Sequence, residues 1–168
     1  PRAPRTNSEP SEPPGALERL REAAPAELQA QIRSLRQEME GERKLVTALF
    51  ADIVGSTELA ERLDPEDWRD VVSGVHALIG AAVHRYGGYI AQLLGDGVLA
   101  FFGAPLAHED DAERAVRASL DIVRATELYG GEPRIRRLAP NLQLRIGINS
   151  GNVVVGNIGS DLRMEYRA

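Results

Sequence analysis

Residues 89–102 read YIAQLLGDGVLAFF, which is two apolar runs separated by a Gly-Asp-Gly sequence centred on Asp96. The runs at 89–94 and 98–102 are long enough for strands, and glycine and aspartate between two apolar runs are typical of a tight β-hairpin. The sequence therefore predicts two antiparallel strands with an aspartate at the turn.

Upstream of the hairpin lie a central-strand signal and a long helix signal. The run Lys44–Val54 (KLVTALFADIV) is apolar and rich in β-branched residues, as expected of a strand covered on both faces for most of its length. A short helix is predicted over Ser56–Leu63. A long one begins at the capping sequence Asp64–Asp67, continues with apolar residues at helical spacing and ends at Gly87-Gly88.

Downstream of the hairpin the pattern predicts one more helix and two more strands. The helix is expected over Glu109–Glu127. Its core-facing stripe is predicted to be Ala112, Val116, Leu120 and Val123. After a Gly/Pro loop, residues 142–149 alternate between apolar and polar, which indicates a strand with one face open to polar surroundings. A last strand, Val153–Ile158, is expected to pair with it across a turn at 150–152.

The order strand, helix, strand, strand, helix, strand is the split βαβ arrangement of ferredoxin-like folds. We therefore expect an α+β domain with a mostly antiparallel sheet and helices on one face. The other face would be available for a site or a partner. Fold alone does not identify a reaction.

Composition divides the chain into three segments. Prolines cluster in residues 1–25 among Ser, Glu and Arg, which predicts a disordered linker. Residues 26–42 carry apolar side chains at helical spacing and predict a short amphipathic helix. Residues 43–168 hold the strong periodicities and form the main domain.

Charge and residue usage exclude several classes of function. There are 20 basic and 25 acidic residues, giving a net charge of −5, and Lys44 is the only lysine, so a broad nucleic-acid-binding face is not expected. Without cysteine there is no disulfide scaffold, zinc-thiolate site or thiol nucleophile. No apolar run approaches the length of a membrane span, so we expect a cytoplasmic domain.

Two aspartates are candidates for a functional role, because one lies in an otherwise apolar strand and the other in a tight turn between two apolar strands. Asp52 ends the first strand, and Asp96 lies in the hairpin turn. If the hairpin lies beside that strand, the two acids converge at one end of the sheet, where their mutual repulsion favours a cation between them. Oxygen ligands of this kind suit Mg²⁺ or Mn²⁺. The alternative is that Asp52 caps the next helix and Asp96 is an ordinary turn residue.

The segment after Asp52 is suited to binding phosphate. In Val54–Thr57 (VGST), a glycine permits close backbone approach, and Ser56 and Thr57 open a helix whose free N–H groups favour an anion. The loop has no lysine, so it is not a P-loop. Arg145, on the polar face of its strand, is the best candidate to meet phosphate charge, and its alternative role is a surface ion pair.

Four motifs together carry a family resemblance. They are LFADIVGST (49–57), LLGDGVLAFFG (93–103), HEDDAERAVRA (108–118) and LRIGINSGNVVVGNIGS (144–160). In this order they resemble the class III adenylate/guanylate cyclase catalytic domain, and most closely the bacterial cyclases that precede ATPase and repeat regions. The resemblance extends from about Gly41 to Tyr166.

The resemblance implies a role for each matching position. Two divalent ions per site, Mg²⁺ or Mn²⁺, would be bound by the metal-binding and catalytic residues Asp52 and Asp96 and by the backbone carbonyl of Ile53. The triphosphate would contact Val54, Gly55, Ser56, Thr57 and Arg145. The reaction implied is conversion of ATP to 3′,5′-cyclic AMP and pyrophosphate for intracellular signalling.

Gln92 departs from the family pattern. Adenylate cyclases usually have a lysine there that reads the adenine, and guanylate cyclases a glutamate, whereas an amide can donate or accept. ATP is favoured as substrate and GTP stays open. In this family each site lies between two catalytic domains, so a homodimer or a paired domain is expected.

The family pattern continues beyond Tyr166 with a second base-reading residue and with an asparagine and an arginine that stabilise the transition state. We therefore expect the 168-residue chain, as an incomplete domain, to form little or no cyclic nucleotide alone. One alternative is a non-catalytic module that keeps nucleotide and metal contacts or serves dimerisation. Another is a ferredoxin-like regulatory domain with a chance acidic pair. A diguanylate cyclase is excluded because its Gly-Gly-Asp/Glu-Glu-Phe hairpin is absent.

Overall fold

A computed structural model describes residues 15–36, 43–158 and 161–165, with side-chain surroundings for 15–31 and 43–153. The elements in chain order are α1 (Ala16–Glu22), α2 (Ala26–Arg36), β1 (Arg43–Ile53), α3 (Ser56–Arg62), α4 (Pro65–Arg85), β2 (Tyr89–Leu94), β3 (Gly97–Phe102), α5 (Asp111–Gly131), α6 (Pro133–Leu138), β4 (Leu144–Ile158) and β5 (Asp161–Glu165).

The described strands form one antiparallel sheet in the order β2-β3-β1-β4-β5. Strands β1 and β2 are joined through α4 and lie on either side of β3, which is the split βαβ arrangement. The first four strands and the helices α4 and α5 therefore confirm the predicted ferredoxin-like α+β fold.

The main core lies between one face of the sheet and the helices α4 and α5. Alternate residues of β1 point into it: Leu49, Ala51 and Ile53 are all buried among apolar side chains of the two helices. The residues between them, including Phe50 and Asp52, lie on the opposite face, which we call the open face. Near Asp52 this face is exposed to solvent, as the alternation in residues 142–149 predicts.

The core-facing side of α5 is not the predicted one. Ile122 is 0% exposed, together with Ala115 and Ala118, whereas Leu120 is 54% exposed and Val123 is also exposed. Both stripes have helical spacing, so periodicity could not choose between them. The observed stripe is the one with alanines, whose small side chains let the helix backbone come close to its neighbours.

The predicted pairing of two strands across residues 150–152 is wrong. Residues 144–158 form the single strand β4, whose first eleven residues pair without interruption with β1. Thr47 of β1 and Ser150 of β4 share a hydroxyl hydrogen bond of 2.7 Å. Because β1 is long enough to pair with all of this stretch, the Ser-Gly-Asn sequence stays extended, and β4 pairs instead with β5, which the sequence did not predict.

The predicted linker over residues 1–25 is wrong for its last part, because residues 16–22 form α1. The partly buried Leu17 and Leu20 of this helix pack against the main core, which explains why a short proline-flanked segment is helical. Helix α2 falls within the predicted 26–42. Residues 1–14 and 37–42 lie outside the described part of the chain. No helix in the described ranges is long and apolar enough to span a membrane.

Candidate active site at one end of the open face

Asp52 lies on the open face at the end of β1, directly opposite Arg145 of β4. The two side chains form a bidentate ion pair, in which Arg145 donates from Nε to Oδ1 at 3.1 Å and from Nη2 to Oδ2 at 2.6 Å. This hydrogen bonding, and the attraction of the carboxylate, raise the pKa of Arg145. The predicted phosphate-binding arginine is therefore held beside the predicted metal-binding aspartate.

Asp96 is brought to the same end of the sheet by the two-residue turn between β2 and β3. Gly95, the first turn residue, has φ 65°, a backbone conformation that favours glycine. The Oδ2 atom of Asp96 accepts a hydrogen bond of 3.0 Å from the backbone N–H of Ile53. The carboxylate thus lies against the residue whose carbonyl the family resemblance assigns to the metal.

The close approach of β3 to β1 brings the two aspartates together. A Cβ atom placed at Gly97 would be 3.3 Å from the carbonyl oxygen of Ala51 and 3.6 Å from Cβ of Asp52. The charge of Asp96 also acts, as a smaller contribution, on the pKa of Arg145. The convergence expected from the sequence is therefore present in the structure, whereas the roles of the two carboxylates stay predictions.

The loop that was expected to bind phosphate follows directly from β1. Val54 is half exposed, and its N–H donates to the carbonyl of Gln143 at 2.9 Å. Gly55 has φ 70°, and no atom lies within 4 Å of a Cβ placed there. The positive φ favours glycine at this position, and the close approach of a phosphate to the open space beside it stays a prediction. Helix α3 begins at Ser56, so Ser56 and Thr57 do open a helix.

Gln92 of β2 shares the open face with Asp52. It is exposed and pairs across the ladder with Leu99, which pairs in turn with Phe50 of β1. The ladder between β2 and β3 has a register shift between Ile90 and Gln92. The predicted base-reading residue therefore projects on the side of the sheet that carries the carboxylates.

One residue near this end of the sheet was assigned no role from sequence. His76 of α4 is buried, and its Nε2 atom has no hydrogen-bond partner in the described part of the protein. Burial lowers the pKa of His76, while the backbone and charge of Asp96 and the backbone of Gly95 act in the opposite direction. The proximity of His76 to this turn depends on how α4 packs, which spacing along the chain does not reveal.

The donor set at this end of the sheet suits a hard divalent cation. Two carboxylates and the neighbouring backbone carbonyl are oxygen ligands of the kind that Mg²⁺ and Mn²⁺ accept, with water and substrate phosphates completing the shell. No cluster of three or more histidine, cysteine or acidic side chains suited to a metal occurs among residues whose surroundings are described.

Residues 39–167 match the family model of the adenylate and guanylate cyclase catalytic domain. The chain belongs to this family. The match covers the sheet with both aspartates, and it confirms the resemblance given by the four sequence motifs. Helix α1 lies outside it.

The cyclase domain is similar to proteins that use either purine. Adenylate cyclase 1 of Rhizobium meliloti (strain 1021) is 35% identical over 126 residues, which are 75% of this chain and 19% of that protein. Among solved structures, the adenylyl cyclase CyaB from P. aeruginosa has a TM-score of 0.71 and 32% identity, covering 76% of this chain and 68% of that chain. The guanylyl cyclase Cya2 has a TM-score of 0.67 and 37% identity, covering 77% and 65%. This chain thus spans about a fifth of the curated relative and about two thirds of the solved chains.

Proposed function

We propose that this domain converts ATP to 3′,5′-cyclic AMP and pyrophosphate. The observation that carries the proposal is that Asp52 and Asp96 lie at the same end of the sheet, with Asp96 bound to the N–H of Ile53, in a chain that belongs to the nucleotidyl cyclase family. Because ATP is made inside the cell, the proposal places the domain in the cytoplasm.

Asp52, Asp96 and the carbonyl of Ile53 would hold two Mg²⁺ or Mn²⁺ ions. When bound, such ions lower the pKa of the ribose 3′-hydroxyl and neutralise the charge of departing pyrophosphate. The 3′-oxygen bonds to the α-phosphorus as the bond from that phosphorus to the bridging β-phosphate oxygen breaks, and the hydroxyl proton is lost to solvent. The protein contributes positioning and charge, without a covalent intermediate.

The triphosphate would lie along the turn Val54–Thr57, with Arg145 contacting its oxygens. Arg145 is well placed for this because its side chain is 76% exposed and its present partner, Asp52, is a metal-binding candidate. The Arg145 guanidinium would form charge-assisted hydrogen bonds to phosphate in place of its pair with Asp52.

Gln92 would contact the purine of a nucleotide held by the aspartates of a paired domain. Its amide can serve as donor or acceptor, so it does not by itself reject guanine. GTP is therefore the second candidate substrate, favoured by the 37% identity to the guanylyl cyclase Cya2. A homodimer or a paired cyclase domain is part of this proposal.

The proposal is tested by pairing the domain with a second cyclase domain that supplies the other half of the site. This second domain, such as that of CyaB, would carry alanine at the two positions that match Asp52 and Asp96. We expect the mixture, supplied with Mn²⁺ and ATP, to release cyclic AMP and pyrophosphate in equal amounts. Asp96→Asn in this chain should abolish the product, and sedimentation analysis should show that the pair forms with either version.

The same experiment separates the cyclase from a non-catalytic module. If the pair forms and the chain binds Mn²⁺ and ATP, yet no cyclic nucleotide appears, a nucleotide-binding or dimerisation module is the better description. If Mn²⁺ has no effect on nucleotide binding, both the cyclase and the nucleotide-binding module are refuted.

A further inference from the structure

Helix α1 packs against the domain, although it lies outside the part of the chain that matches the cyclase family. Leu20 lies close to α4, since a Cβ at Gly80 would be 3.2 Å from Cδ2 of Leu20. Just after α1, Ala24 is buried against Tyr89 of β2, together with Leu28 of α2. The segment therefore crosses the edge of the described sheet at β2.

Arg21 of α1 binds the backbone of β2 directly. Its Nε donates to the carbonyl of Ile90 at 3.0 Å, and its Nη2 donates to the carbonyl of Ala91 at 2.8 Å. The guanidinium also lies 4.9 Å from the centre of the Tyr89 ring. Successive carbonyls of a regular strand point in opposite directions, so a single guanidinium can bind two in a row only where the strand is irregular.

The irregularity is the register shift between Ile90 and Gln92. Ile90 pairs with Ala100, and Gln92 pairs with Leu99, which leaves Ala91 as the extra residue of a β-bulge. Arg21 therefore binds the two carbonyls that the bulge turns to one side.

The bulge determines which face of the sheet carries Gln92. Without the extra residue, Ala91 would pair with Leu99 and project from the open face, and Gln92 would point into the main core. With it, Gln92 takes the open-face position and Leu93 is buried. The placement of Gln92, the proposed base-reading residue, on the open face thus depends on the bulge.

We propose that Arg21 is a positioning residue for purine recognition, because it stabilises the β2 bulge that directs Gln92 onto the open face. This inference rests on the proposed function. It extends the purine-binding apparatus to a helix upstream of the cyclase family match.

The first test is hydrogen–deuterium exchange of β2 in the protein without nucleotide. Arg21→Ala removes two hydrogen bonds from a charged donor, so the amides of residues 90–92 should exchange about tenfold faster or more. The matched control is Arg117→Ala, which removes an exposed guanidinium whose described hydrogen bonds go to Glu113 on the surface of α5. Unchanged exchange in Arg21→Ala would overturn the proposal without bearing on the proposed function.

The second test is calorimetric titration of Mn²⁺, and of ATP and GTP in the presence of Mn²⁺. We expect Arg21→Ala to weaken nucleotide binding and to change the ATP-to-GTP affinity ratio, while Mn²⁺ affinity without nucleotide equals that of the unaltered protein. Faster β2 exchange with unchanged nucleotide affinities would make Arg21 merely structural and overturn the positioning role. If the unaltered protein binds no nucleotide with Mn²⁺, the proposed function itself fails.

Arg21→Lys keeps the positive charge, but a single ammonium group cannot bind both carbonyls as the planar guanidinium does. This variant replaces Arg21→Ala in both tests if the alanine variant does not fold. We expect it to leave β2 exchange faster than in the unaltered protein. Full restoration of exchange protection and nucleotide affinity by lysine would show that charge alone suffices, contrary to the proposal.

Discussion

Replacing Arg145 by alanine should change metal affinity and nucleotide affinity in opposite directions. Both carboxylate oxygens of Asp52 accept hydrogen bonds from Arg145, at 3.1 and 2.6 Å. In the proposed site, a metal ion at Asp52 competes with this guanidinium for the same carboxylate oxygens. The aspartate side chain is 39% exposed and the arginine 76%, so the pair is solvent-screened, and its loss should raise Mn²⁺ affinity by at most about fivefold.

Nucleotide affinity should fall by more, because the displaced guanidinium is the proposed partner of the phosphates. Loss of a hydrogen bond to a charged group corresponds to about a tenfold or greater decrease in affinity. Calorimetric titration with Mn²⁺ alone, and then in saturating Mn²⁺ with an ATP analogue that has a methylene group in place of the α,β-bridging oxygen and cannot cyclise, measures both effects. Arg117→Ala is again the control, and it should change neither. A decrease of both affinities in Arg145→Ala would refute the displacement, since Arg145 would then be supporting the metal site.

Three further predictions concern stability and selectivity. Asp96→Ala leaves the N–H of Ile53 without its acceptor and should lower the free energy of unfolding in urea by about 1–3 kcal/mol. Asp96→Asn keeps an oxygen acceptor, so its loss of stability should be smaller. Equal losses in the two variants would mean that this hydrogen bond contributes little. Ile122→Ala should cost about 2–5 kcal/mol. Leu120→Ala should stay within about 0.5 kcal/mol, and the reverse order would contradict the observed α5 orientation. In a Mn²⁺-dependent competition, Gln92→Lys should favour ATP and Gln92→Glu should favour GTP, and identical ratios would show that Gln92 does not contact the purine.

The elements predicted correctly are those with strong local signals. The β2–β3 hairpin combines two apolar runs with a glycine-aspartate turn, and β1 is a long apolar run that ends at a glycine. Helix α4 has a proline and acidic residues in its first turn and is followed by two glycines. Because each signal lies within one stretch of chain, the fold class followed from their order.

The incorrect predictions concern features that are determined by tertiary contacts and not by the local sequence. Leu120 and Ile122 lie on adjacent stripes of α5, and the packing of alanines against the sheet selects the second stripe. Residues 150–152 resemble a turn, yet pairing with β1 keeps them extended. The sequence before Ala26 lacks an obvious apolar pattern, and α1 is helical through its contacts with the domain.

The sequence identified the candidate site residues, whose roles stay predictions, but it did not predict the contacts among them. Asp52 and Asp96 stood out as carboxylates in an apolar strand and a tight turn. Arg145 faces Asp52 because of the register between β1 and β4. Gln92 lies on the open face because of a bulge that Arg21 stabilises. Neither the register nor the bulge leaves a recognisable pattern in the sequence.

The central claim is that Asp52 and Asp96 form a metal-dependent nucleotide site. The most direct measurement is ATP binding by calorimetry, with Mn²⁺ and after chelation with EDTA, for the unaltered protein and for Asp52→Asn and Asp96→Asn, whose folding is checked by circular dichroism. We predict that ATP binds only with Mn²⁺ and that each folded variant loses this binding. ATP binding that persists in EDTA, or that survives both substitutions, would contradict the account.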